Sequence, residues 1–263
     1  MKISFAIPAY NEENYISGCL DAILTQASDA ATRGGMEIIV VNNASSDGTA
    51  AVVKKYSEKY PAVKLVDESK KGITHARRAG FLASSGELIA NVDADTRITP
   101  GWVRRVLDEF ARDPKLVALS GPFIYYDLSP AIRFLTKVHY AIGYLIYHIF
   151  HIGAMLQGGN FVVRRDALLK IGGYDTNIAF YGEDTDIARR MSKIGKVKFT
   201  FKLPAYTSGR RLAKEGEIKT GIRYAINYIW ITLFKRPYTK DYEDIRVKNG
   251  KNVVQENIPK DGT

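Results

Sequence analysis

Ile3-Ser4-Phe5-Ala6-Ile7-Pro8-Ala9-Tyr10-Asn11-Glu12-Glu13 opens with a short apolar run and closes in a polar turn. The run Ile3 to Ile7 reads as a strand, and Met36 to Val41, rich in Ile and Val, reads as a second. Between them Ile16, Leu20, Ile23 and Leu24 recur at helical spacing, so the segment is a βαβ unit. Asn11 is the expected N-cap, with Glu12 and Glu13 in the first turn. The alternation continues through a helix from Thr49 to Tyr60, stopped by Pro61, and a strand around Val63 to Val66. A helix near Ile73 to Ala83 and a strand Leu88 to Val92 follow. Repeated β-α-β order predicts an α/β fold with a mostly parallel central sheet flanked by helices. Ligands in such sheets bind beyond the carboxyl ends of the strands. Pro8 to Glu12, Asn42 to Ser45 and Asp93 to Asp95 all fall there, so three polar loops converge on one edge.

Farther along, Thr99-Pro100 has the form of an N-cap followed by proline, with Val103, Val106, Leu107 and Phe110 as the buried stripe behind it. A strand is expected at Leu116 to Ser120. From Ala131 to Leu156 the chain is apolar and aromatic. Gln157-Gly158-Gly159-Asn160 then leads into a strand Phe161 to Val163 and a short helix Asp166 to Ile171, stopped by Gly172-Gly173. Gly182-Glu183-Asp184-Thr185-Asp186 opens a helix whose apolar face is Ile187, Met191 and Ile194, ending at Gly195. Lys196 to Phe201 alternates as a strand, Ile218 to Phe234 reads as a basic, aromatic helix, and a polar tail follows Pro237.

Composition narrows the partners. The 263 residues carry a formal charge of +10, with 46% hydrophobic and 11% aromatic residues, which excludes a disordered chain and favours anionic partners. Zinc ligands and an aromatic RNA-binding motif are absent from the sequence, so nucleic acid is not an expected partner. One cysteine, Cys19, excludes a disulfide framework and points to a reducing, cytoplasmic setting. The first residues lack the layout of a cleaved signal.

Two acidic clusters bear on chemistry. Asp93-Ala94-Asp95 closes an apolar strand, where two carboxylates one residue apart suit a divalent cation and a diphosphate. Taken alone the triplet also fits a solvated turn. Glu183, Asp184 and Asp186 sit at a helix start, where backbone N–H groups hold a carboxylate. Glu183 beside Asp184 would raise its proton affinity. The same residues also read as simple helix capping. Gly158-Gly159 would let backbone approach a ligand closely.

The chain resembles the inverting glycosyltransferases of family 2, from about residue 2 to about residue 212. The resemblance is carried by Ile7-Pro8-Ala9-Tyr10-Asn11-Glu12, by Val40 to Thr49, and by Lys71-Gly72 with Ala76-Arg77-Arg78-Ala79-Gly80. It continues with Gly86 to Asp95, Gly158-Gly159-Asn160 and Gly182 to Asp186. It implies a GT-A fold with a C-terminal helical extension and metal-dependent inverting transfer from a nucleotide-diphosphate sugar, expected as a UDP-sugar, to a hydroxyl acceptor. A retaining transferase, a nucleotidyltransferase and an inactive nucleotide-sugar binder are the alternatives. By the resemblance Pro8, Tyr10 and Glu12 line the nucleoside pocket, and Asn43 meets the base where the family more often has aspartate. Arg77 would lie against the diphosphate, Asp93 and Ala94 would border the donor, and Asp95 would face Mg2+ or Mn2+. Asp184 would be the general base, Gly159, Asn160 and Glu183 would border sugar and acceptor, and Arg210 and Arg211 would cover the diphosphate.

This implies a catalytic domain over 1–212, divided into a nucleotide half 1–98 and an acceptor half 99–212, then the basic helix 213–237 and the tail 238–263. The stretch 138–156 approaches the length of a membrane span. Spanning would separate Asp95 from Asp184, so a helix packed on the acceptor side is expected instead. The aromatic, basic helix 218–234 is of the kind that lies on anionic lipid. A peripheral position on the inner face of the cell membrane follows as an expectation. His148 and His151 stand at i, i+3, a spacing that suits a metal but also ordinary core or surface histidines.

Overall fold

A computed structural model describes residues 1–27, 35–150, 155–178 and 180–239. From residue 240 the expected tail lies outside the described residues, as does the His148–His151 pair. The described residues form a seven-stranded sheet in the order β3-β2-β1-β4-β8-β6-β9. The strands are β1 (Ile3–Ala9), β2 (Met36–Asn42), β3 (Val63–Asp67), β4 (Leu88–Val92), β6 (Leu116–Ser120), β8 (Asn160–Arg164) and β9 (Lys196–Phe199). A smaller three-stranded sheet joins β5 (Arg97–Ile98), β10 (Ala205–Thr207) and β7 (Phe123–Tyr125).

β1 to β4 run parallel to one another, and β8 reverses against β4 and β6. The reversal matters because register then pairs Val92 with Asn160. The Gly158-Gly159 turn before β8 therefore reaches the same edge as Asp93 after β4. Parallel strands covered on both faces must be apolar on both, which is why β1 is buried along its whole length.

On one face Ile3, Phe5 and Ile7 pack with Ile16, Leu20 and Ile23 of α1 (Ile16–Leu24) and with Trp102, Val106 and Phe110 of α4 (Trp102–Arg112). On the other, Ala6, Ile89, Phe161 and Val163 meet Phe81 of α3 (Ile73–Ala83) and Ile187, Ala188 and Met191 of α7 (Glu183–Met191). The remaining helices are α2 (Thr49–Lys59), α5 (Pro130–Phe150), α6 (Arg165–Lys170), α8 (Arg210–Glu215) and α9 (Glu217–Phe234). Two glycines are fixed by close packing at element junctions. A Cβ on Gly121 would overlap the Leu203 carbonyl, and one on Gly182 would overlap Ile231 of α9.

Local expectations fail in informative places. Asn11 does not cap α1, which begins only at Ile16. Its backbone is left-handed at φ 52°, and its side chain accepts from Ser46 N–H at 2.8 Å, tying two site loops together. Glu13 instead accepts from Gly48 N–H at 2.6 Å, at the N-cap of α2. Thr99 does not cap α4. Its hydroxyl donates to the Pro204 carbonyl at 2.9 Å, and Gly101 takes the N-cap. Ile194 is exposed beyond the end of α7. Over Pro130–Phe150 the aromatic stretch is a helix packed on the body through Tyr140 and Tyr144, which meet Phe199 and Phe201. Among the described residues no helix is long and apolar enough to cross a membrane. α9 packs against α7 and α8.

Candidate functional site

The carboxyl ends of β1, β2 and β4 and the start of β8 form the floor of the site. Arg77, on α3, is fully buried beneath it. Its Nε donates to Glu183 at 3.0 Å and its Nη2 to Asp93 at 3.1 Å, so one guanidinium joins the two acidic clusters. The two flanking carboxylates keep Arg77 charged and lift its pKa above the ordinary arginine value despite burial. Its Nη1 is buried without a hydrogen-bond partner.

Gly158 and Gly159 fill the space between the clusters. Gly158 N–H donates to Asp184 Oδ2 at 2.9 Å. Gly159 has φ 81°, and a Cβ there would overlap the Asp93 carboxylate. The glycine pair is thus a point of contact between Asp93 and Asp184. Asp184 also accepts from Thr185 N–H at 2.7 Å through Oδ1. Burial raises its pKa above the ordinary carboxylate value, while the Thr185 and Gly158 N–H groups pull the other way. Burial also lifts Glu183, to about 8, against the opposing pull of Arg77 and with reinforcement from Asp184 and Asp93.

Asp95 lies on the other side of Asp93. Its Oδ2 is 2.9 Å from Arg210 Nη2, which also reaches Glu12 Oε1 at 2.5 Å. Thr207 donates to Asp95 Oδ1 at 3.3 Å. Arg210 lies over the Tyr15 ring at 4.4 Å. Asp127, which no sequence motif marked, accepts from Gly209 N–H at 2.5 Å and from the Ser208 hydroxyl. It therefore sets the turn that delivers Arg210. Ala94 is buried, as is Cys19, whose thiol is pushed well up by burial.

Several expected contacts are already taken by the protein itself. Asn43 donates to the Glu68 and Lys70 carbonyls at 3.0 and 2.8 Å and accepts from Gly72 N–H at 2.8 Å, so its amide shapes the loop before α3. Asn160 is fully buried. It accepts from Trp102 Nε1 at 3.1 Å and donates to the Gly121 and Leu203 carbonyls, each at 3.0 Å. Arg77 has its Nε and Nη2 engaged by Glu183 and Asp93. Arg211 turns away to Glu215 and Phe180. Pro8 is buried within β1, and Tyr10 carries Lys71 over its ring at 3.9 Å.

Among the described residues no group of three or more His, Cys, Asp or Glu side chains is arranged to hold a metal ion. Asp95 nevertheless offers a hard oxygen already matched to a cation, Arg210. Such a carboxylate suits an ion whose other ligands come from phosphates and water. A separate concavity of about 680 Å3 lies at the opposite end of the sheet, among Asp113, Lys115, Arg164 and Lys196. It contains none of the expected residues, and its Asp113 is paired with Lys196.

Comparison with known proteins gives concordant results. The family described as "Glycosyl transferase family 2" matches residues 4–172. "Probable glycosyltransferase YdaM" of Bacillus subtilis is 31% identical over 204 residues, 74% of this chain and 47% of that protein. "Glucosyl-dolichyl phosphate glucuronosyltransferase" of Haloferax volcanii is 23% identical over 189 residues, 70% of this chain and 59% of that protein. The chain thus spans about half the length of these relatives. The solved mannosyltransferase PcManGT from Pyrobaculum calidifontis, in complex with GDP-Man and Mn2+, superposes with a TM-score of 0.67 at 20% identity, covering 89% of this chain and 63% of that one.

Proposed function

The chain belongs to glycosyl transferase family 2 and has the GT-A fold, and from that premise we propose that it transfers a sugar from a nucleoside-diphosphate donor to an acceptor hydroxyl with inversion. The observation that carries the reading is the buried Arg77, hydrogen-bonded at once to Asp93 and to Glu183. Through it, two acidic clusters about ninety residues apart in sequence share one cleft.

In this reading Asp184 is the general base. Its carboxylate takes the proton of the acceptor hydroxyl as that oxygen bonds to the anomeric carbon and the bond to the diphosphate breaks. Support comes from its two backbone hydrogen bonds, which fix its direction, and from burial, which makes it a better proton acceptor than an exposed carboxylate. Arg77 is a positioning residue that holds Asp93 and Glu183 in register. Asn160 positions the Gly158-Gly159 turn by anchoring the start of β8.

Asp95 would hold Mg2+ or Mn2+ together with donor phosphate oxygens, and the ion would supply neutralisation of the leaving charge. The relation of PcManGT to a complex with GDP-Man and Mn2+ supports that choice of donor class and ion. Arg210, with its guanidinium beside Asp95 and Glu12, is placed to pass from those carboxylates to phosphate oxygens. Asn43, expected at the base, has its amide committed to backbone and lends no support to one base over another. The proposal therefore names the diphosphate and leaves the base to experiment.

Acceptors in this reading are saccharide or lipid-linked hydroxyls, and the basic chain would work peripherally on an anionic membrane surface. The test is incubation with UDP- and GDP-sugars, Mn2+ and a panel of acceptors, with the product's anomeric configuration read by NMR. Inverted configuration is the expected result. Retention, or cleavage at the other phosphate bond, would contradict the reading.

A further inference from the structure

α5 is apolar on two sides. Its inner side carries Tyr140, whose hydroxyl donates to Gln157 at 2.7 Å. Gln157 precedes the glycine that holds Asp184, so this helix backs directly onto the candidate base. The outer side carries Phe134, Leu135, Val138, Ile142 and Leu145, each between 38% and 65% exposed. At 3.6 residues per turn these five fall within an arc of about 100°, a single continuous stripe.

Stripes of this kind mark interaction surfaces, and the charges beside this one indicate the partner. From Leu128 to Arg165 the sequence has no Asp or Glu, and the charges on α5 are Arg133 and Lys137. Both line a shallow cavity of about 260 Å3 together with Pro130 and Phe134. Arg133 is held there by its Nε donating to the Leu128 carbonyl at 3.0 Å. A second copy of the chain fits poorly, since a two-fold contact would set this cationic rim against itself and join two bodies of charge +10.

We propose that the outer face of α5 docks on an anionic lipid bilayer, with a headgroup phosphate received between Arg133 and Lys137. The acceptor hydroxyl is then carried on a lipid, a second part that rests on the transfer reaction proposed above. A helix with an apolar face and flanking cations lies in the plane of the interface. Its inner side would then hold the base about one helix diameter, ~10 Å, from the headgroups.

The experiment is flotation of the full chain, without donor or acceptor, on vesicles of phosphatidylcholine alone and of phosphatidylcholine mixed with phosphatidylglycerol. Binding is expected to the mixed vesicles only. Ile142→Ser/Leu145→Ser should weaken it by at least about tenfold, and Lys137→Gln by about fivefold. An unchanged unfolding midpoint in each variant would confirm that the exposed substitutions leave the fold intact. Equal vesicle binding by wild type and the double serine variant would overturn the proposal. So would a wild type that ignores vesicles and forms a dimer which the double variant dissolves. Vesicle binding with transfer to a soluble sugar but to no lipid-linked one overturns the acceptor part. Vesicle binding with no transfer to any acceptor supports the docking surface and counts against the transfer reading instead.

Discussion

Glu37, buried, and Asp184, part-buried, are acids at opposite ends of the same sheet, and the protein treats them in opposite ways. Glu37 sits near the start of β2, about five strand residues or ~17 Å from the cleft edge. It accepts from the Ser4 hydroxyl at 2.6 Å, from Ser85 N–H at 2.6 Å and from Lys64 at 3.1 Å. Burial alone would raise its pKa, but these donors outweigh burial and bring it down to about 2. Asp184 has two backbone donors, and burial wins, so its pKa goes up. The difference is in the supply of donors. A structural acid is saturated so that its charge is locked in, while an acid that must take up a proton is left short of partners.

The largest effect expected from this contrast is at the cleft. Asp184→Asn should lower turnover by about 10³-fold, within the range for loss of a general base, with donor affinity by calorimetry little changed. If turnover survives, the two acids are alike and the contrast fails. Arg77→Met comes next. It leaves the buried Glu183 without its cation and the part-exposed Asp93 without its partner, and should cost about 3 kcal/mol in urea unfolding. A cost under about 1 kcal/mol would mean that the two clusters are not held together by this residue.

Arg210→Met frees Asp95 and Glu12 from their ion pairs. Without donor present, Mn2+ affinity measured by electron paramagnetic resonance should rise by about tenfold, since one competing cation is removed. Unchanged affinity would separate Arg210 from the ion's place. The smallest effect is at the other end of the sheet. The Glu37 pKa lies below its ordinary 4.5, so its stabilisation is full above about pH 4.5 and is lost as pH falls toward 2. Glu37→Gln should therefore cost about 1–2 kcal/mol at neutral pH, after allowing for solvent screening of its lysine partner. It should also flatten the acid limb of the stability curve, and turnover at neutral pH should not change.

The parallel half of the sheet was readable from its apolar runs, because β1, β2 and β4 are buried on both faces and show it in composition. The convergence of Asp93 with Asp184 was readable only through motif order. Its physical cause, the reversed β8 that pairs Val92 with Asn160, leaves no mark in a five-residue run. Side-chain commitments were the least legible. Asn43 and Asn160 carry amides that suit a base or a sugar, yet both are used up on backbone carbonyls contributed by loops distant in sequence. Asp127 was missed because its partners, Ser208 and Gly209, stand about eighty residues away. Asn11 and Thr99 do not cap for the same reason, since each side chain takes a tertiary partner in place of the local one.

The most direct test of Asp184 as a proton acceptor is the pH dependence of single-turnover transfer. Its raised pKa predicts a rate that climbs with pH through an inflection above the ordinary carboxylate value of 3.8, and that inflection should vanish from the residual rate of Asp184→Asn. The same inflection persisting in the variant, or a profile flat across the acid range in the wild type, would contradict the assignment.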